Sequence, residues 1–141
     1  MKSYIYLALA MSAFVLNSGC KKDSTDPTHE YHAHIHSPNT DAKHVDDVLD
    51  IEVEFEDHAG GTVHHIQVRI YNKSTLVEVY RMPTDAHVHA TSGSYTFEDT
   101  FDLSVANGIT GHSDWVLEAK VWGETDGEAE EIETVEFHVH P

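Results

Sequence analysis

The sequence predicts an all-β fold, a seven-stranded antiparallel β-sandwich, on three observations. Short segments alternate apolar and polar residues with period two, clusters of Gly, Asp and Asn separate them, and no helical periodicity follows the first twenty residues. Asp50 to Asp57 (DIEVEFED) alternates strictly, with Ile51, Val53 and Phe55 on one face and Glu52, Glu54 and Glu56 on the other. Thr62 to Tyr71 repeats the pattern with Ile66, Val68 and Ile70 inward, and Asn72-Lys73-Ser74 reads as a turn into a strand from Leu76 to Met82. Tyr95 to Leu103, Trp115 to Trp122 and Thr134 to His140 alternate likewise, with Asp99 breaking the phase of its strand and expected to mark a bulge. Tyr31 to Ser37 completes the seven.

Seven short strands of this kind point to a sandwich of the immunoglobulin or fibronectin type, with an open barrel as the alternative. The cysteine pair of antibody domains is absent, so the similarity is one of architecture. With 141 residues and 40% hydrophobic content, the chain has room for one modest core, assigned to residues 30–141.

Residues 1–19 follow the secretory pattern, with Lys2 as the positive start and an apolar run from Tyr4 to Leu16 broken only by Ser12. That run is short for a membrane span. It ends in Asn17-Ser18-Gly19-Cys20, two small residues before the only cysteine, which resembles the lipobox of bacterial lipoproteins; Asn17 departs from the aliphatic residue usual there. The resemblance implies that Cys20 becomes the lipid-bearing N-terminus. The alternatives are simple secretion with a free thiol, or an uncleaved anchor. Residues 20–29, polar and holding Pro27, read as a flexible tether. The start Cys20-Lys21-Lys22-Asp23 and the strand pattern together resemble the small immunoglobulin-like lipoproteins of the Bacteroidetes type, whose role is unknown. The resemblance implies a place in the cell envelope, as an outer-membrane lipoprotein facing the periplasm or the exterior, with an envelope protein as a partner.

Twenty-five acidic residues against eight basic ones give a formal charge of -17, which repels phosphate backbones and excludes nucleic acid as the expected partner. Thirteen histidines are several times the ordinary share and form the main functional signal. They recur at i, i+2 spacing: His32, His34 and His36; His87 and His89; His138 and His140; with a doublet at His64 and His65. On a strand such residues share a face about 7 Å apart. Imidazoles from those positions can converge on Zn, Cu or Ni.

Strand phase sends His32, His34 and His36 outward from Ala33 and Ile35, and Glu136, His138 and His140 outward from Val135, Phe137 and Val139. A first strand parallel to the last would put five histidines on one surface; a first strand paired with the second would face Glu52, Glu54 and Glu56. In fibronectin order one end collects His58, His64, His65, His87 and His89, near the acidic stretch from Glu124 to Glu131. The other end collects His36, His44, His112, His138 and His140. The leading ligand set is His87 and His89 with His64 or His65, since loops beside rigid strands usually carry binding residues. His64 equally reads as a satisfied residue at the core edge, and the other histidines as solvated strand positions or pH sensors.

No nucleophile elbow is present, Cys20 is unavailable if acylated, and the residues after His87-Val88-His89 lack the Glu of a cupin-type oxygenase site. The chain is therefore expected not to be an enzyme. The expected function is divalent transition-metal binding by a membrane-tethered domain. The alternative is a non-enzymatic surface-interaction module, and Trp122, expected outward, admits carbohydrate or protein as its ligand.

Overall fold

The computed structural model describes residues 29–83 and 87–141, so the signal segment, Cys20 and nearly all of the tether lie outside the described residues. Among the described residues nine strands form: β1 (Tyr31–Ser37), β2 (Lys43–His44), β3 (Val48–Asp57), β4 (Val63–Asn72), β5 (Glu78–Arg81), β6 (His87–Ala90), β7 (Ser94–Asp102), β8 (Ser113–Trp122) and β9 (Glu131–His140). Two more strands form than the seven expected. The extra ones, β2 and β6, are two and four residues long, too short to show a period. Among the described residues the only helical element is a single 3-10 turn over Val105–Asn107.

The strands make two sheets, one of order β1-β3-β7 and one of order β2-β9-β8-β4-β5, in which β6 also pairs with β4. Alternation explains the layers. Ile51, Val53 and Phe55 of β3 meet Ile66, Val68 and Ile70 of β4 and Leu117, Ala119 and Val121 of β8 in one buried cluster. Each large apolar side chain buried there contributes roughly 1.5–3 kcal/mol. β4 carries β8 on one side, while its other side is shared by β6 against Val63–His65 and β5 against Arg69–Tyr71. This sharing sets β6 beside the start of β4.

The first strand takes the second of its two expected arrangements. β1 pairs antiparallel with β3, matching His32 to Glu56 and His34 to Glu54; the parallel partner of β9 is β2, through Lys43 and His44. A five-histidine surface on β1 and β9 therefore does not form. β1 is instead the edge of its sheet, and its Ile35 N–H donates to the Glu133 carboxylate of β9 at 3.1 Å.

Asp99 marks no bulge: β3 and β7 run in continuous register from Val48–Asp102 to Glu56–Ser94. Asp99 lies in phase with Phe97 and Phe101, and the Tyr80 hydroxyl donates to it at 2.5 Å. An acid fits this half-buried position because it has that donor. Burial and the Asp99 carboxylate together hold the Tyr80 hydroxyl far above its ordinary range. Tyr80→Phe is expected to cost about 1–2 kcal/mol by urea denaturation, since Asp99 then keeps its charge without that donor.

At one end, Asp57 is the in-phase inward position after Ile51, Val53 and Phe55, and it is 4% exposed. Its carboxylate accepts from His29 Nδ1 at 2.6 Å, Glu30 N at 3.2 Å and Ala59 N at 3.0 Å. These bonds tie the entry of the chain to the β3–β4 turn. A Cβ on Gly61 would sit 2.3 Å from the Asp57 carboxylate, so only glycine lets the turn close over it.

Candidate metal centre

On β1, the rings of His32 and His34 lie with centroids 6.2 Å apart and nearly parallel. On β6 the pair behaves differently. His89 adopts a left-handed backbone, φ 49°, and the His87 and His89 rings approach to 3.8 Å between centroids. That conformation costs a non-glycine residue on the order of 1 kcal/mol and recurs where a site needs a side chain re-aimed.

The register of β6 on β4 sets this pair beside the histidine doublet. His64 is half-buried, and its ring lies 5.2 Å from that of His89 and 6.2 Å from that of His87. One ring nitrogen from each of His64, His87 and His89 lies within 4.8 Å of the others. A tetrahedral ion with bonds of about 2.0–2.1 Å holds its ligand nitrogens roughly 3.4 Å apart, so modest side-chain rotations close the set. The decisive atom is His64 Nδ1: it is buried and has no hydrogen-bond partner. A satisfied core-edge histidine would not leave it so. An unpaired buried nitrogen costs about 1–3 kcal/mol.

His65 stands next to the group rather than in it. Its Nδ1–H donates to the Gly123 carbonyl at 2.7 Å, and its ring is sandwiched between Trp122 at 5.2 Å and His87 at 4.4 Å, both nearly parallel. Lys120 lies 4.8 Å from the Trp122 ring centroid, extending the stack. The column fixes the plane of His87, so His65 supports a member of the three-histidine group. The outward Trp122 is thereby covered by its own chain.

The remaining histidines divide by sheet. On the three-stranded sheet His32 meets Glu131 at 3.2 Å and the ring of His58 at 4.3 Å, His34 faces Glu56 at 3.5 Å, and His36 faces Glu54 at 3.4 Å. Glu30, His32 and His58, and His34, Glu56 and His58, form mixed groups that share His58. His58 donates to Glu56 at 3.0 Å and holds that carboxyl below its ordinary range. His36 belongs to neither group. His58 thus groups with His32 and His34 of β1, whereas His64 groups with His87 and His89 of β6. At the far end, His112, His138 and His140 form a second all-histidine group.

Comparison with solved structures places this architecture. The solution structure of the CARDB domain of PF1109 from Pyrococcus furiosus matches with a TM-score of 0.52 and 16% identity, over 79% of this chain and 95% of that one. The chain resembles a CARDB domain in its fold. A crystal structure of the same CARDB domain, in complex with di-metal ions, matches with a TM-score of 0.51 and 16% identity, over 83% of this chain and 98% of that one. No protein-family model matches the sequence, and neither does any curated protein.

On this CARDB-like scaffold, sequence reasoning overlooked two supports. The first is the Trp122–His65–His87 column, which requires the β4–β6 and β4–β8 registers. The second is Asp114, which lies directly opposite His138 in the β8–β9 pairing. Antiparallel alignment of the Trp115 and Thr134 strands was the signal that would have found it.

Proposed function

We propose that this protein binds a divalent transition metal, Zn, Cu or Ni, through His64, His87 and His89. The observation that carries the reading is a convergent three-histidine group in which one member, His64, has a buried, unpartnered ring nitrogen. Imidazole is a ligand common to all three ions, and three protein nitrogens leave a position open for water or a partner's ligand. A crystallised domain of similar fold holds di-metal ions, which supports the reading at the level of the scaffold. The lipobox-like Asn17-Ser18-Gly19-Cys20 supports an envelope lipoprotein whose lipid tethers this domain to a membrane, for buffering or delivering the ion. No catalytic step is assigned to the site.

Isothermal titration of the tag-free protein with Zn(II), Cu(II) and Ni(II) at neutral pH tests the proposal. Binding of fixed stoichiometry, with one ion lost in the His64→Ala/His89→Ala variant, is the expected result. Unchanged stoichiometry in that variant would remove this site and favour the surface-interaction reading for this end of the domain.

A further inference from the structure

The second all-histidine group lies at the other end of β8. β8 has ten residues, so Ser113 and Trp122 stand about 30 Å apart. Trp122 stacks on His65, whereas Ser113 pairs with Val139, between His138 and His140. One ring nitrogen from each of His112, His138 and His140 lies within 4.8 Å of the others. The His138 and His140 rings are 4.7 Å apart, and the His112 ring is 6.4 Å and 6.3 Å from them.

Two observations indicate that this group is built as well as gathered. His112, like His89, has a left-handed backbone, φ 58°, just before β8 begins. His138 Nδ1 lies 2.7 Å from Asp114 Oδ1. An ionised carboxylate only accepts, so His138 Nδ1 carries the proton, and in the neutral ring Nε2 presents its lone pair. A carboxylate behind a histidine in this way orients the ring and raises its basicity as a metal ligand. His44 stands close by on β2, its ring 5.6 Å from His140, as a fourth nitrogen source.

We infer that His112, His138 and His140 form a second, independent site for a divalent transition metal, with Asp114 as its positioning residue. Sites this far apart without shared ligands bind additively. Unlike the first group, this one has no buried orphan nitrogen; each group has at least one exposed histidine, His112 here and His87 and His89 there, through which an ion could exchange with solvent.

Zinc titration of tag-free protein carrying His64→Ala and His89→Ala isolates this site. One ion per chain is expected to remain, to be lost on adding His138→Ala and His140→Ala, and to bind 10- to 100-fold more weakly on adding Asp114→Asn. Because Asp114 is exposed, the metal-free melting temperature is expected to stay the same in the Asp114→Asn protein, which separates positioning from folding. Absence of any ion in the His64→Ala/His89→Ala protein overturns the inference, as does an ion that survives the added His138→Ala and His140→Ala changes. Asp114→Asn without effect on affinity overturns the positioning role. A parent protein that loses no ion on His64→Ala/His89→Ala refutes the first site alone, so the two proposals fail separately.

Discussion

Zinc at a free concentration one hundred times its dissociation constant is expected to raise the unfolding free energy by about 2.7 kcal/mol for each ion bound to the folded chain alone. For a domain of this size that is a rise in melting temperature on the order of 10 °C. The His64 contribution is separable, because its Nδ1 makes no hydrogen bond that replacement could break. His64→Leu removes a buried polar atom and keeps apolar bulk. Its metal-free stability is therefore expected to equal or exceed that of the parent, while the zinc-induced rise from this site disappears. A differential scan with and without zinc reads both effects. A His64→Leu protein that keeps the full rise would show that zinc stabilises through other residues. Protons compete with the ion for imidazole nitrogen, so the rise should shrink as the pH is lowered from 7.5 to 5.5.

Asp57→Ala is expected to cost roughly 3 kcal/mol, measured as a lowered urea midpoint. The substitution leaves the Glu30 and Ala59 N–H groups and the His29 ring without their acceptor in a buried place. Burial alone would raise the Asp57 carboxyl, but the His29 hydrogen bond and the two backbone N–H groups outweigh it and lower it below the ordinary range. A lowered folded value means that the contribution is present above the unfolded carboxylate range, near pH 3.9, and is lost as pH falls through the lowered value. The parent should therefore lose stability in acid more steeply than Asp57→Ala, and the gap between them should narrow below about pH 4. Parallel pH profiles would show that the carboxylate is not what ties the chain entry to the turn.

Most of the fold was legible because half-buried strands record their orientation in every second residue. Ile51, Val53 and Phe55 needed no partner to reveal their face, and the same rule extends to Asp57, whose burial is written in the phase of β3. Asp99 was misread for a related reason. Its polarity looked like a break in phase, when the Tyr80 hydroxyl nineteen residues earlier satisfies it in place. Pairing was less legible, since alternation says which way a side chain points and nothing about its neighbour across the sheet. That is why His32, His34 and His36 came with two arrangements, and why His64 and His65 could not be ranked. Their distinction rests on Gly123 and on the stack with Trp122, both set by register. The left-handed residues His89 and His112 have no sequence signature at all.

The Glu133 carboxylate that accepts the Ile35 N–H has a consequence for how copies of this domain meet. An edge strand with open amides is a template on which another chain can extend the sheet, the first step toward aggregation. Glu133 stoppers that edge at its middle with a side chain of the same molecule, and its charge sits where an incoming strand would have to lie. Copies of this domain at high concentration are in this way protected from polymerising through β1.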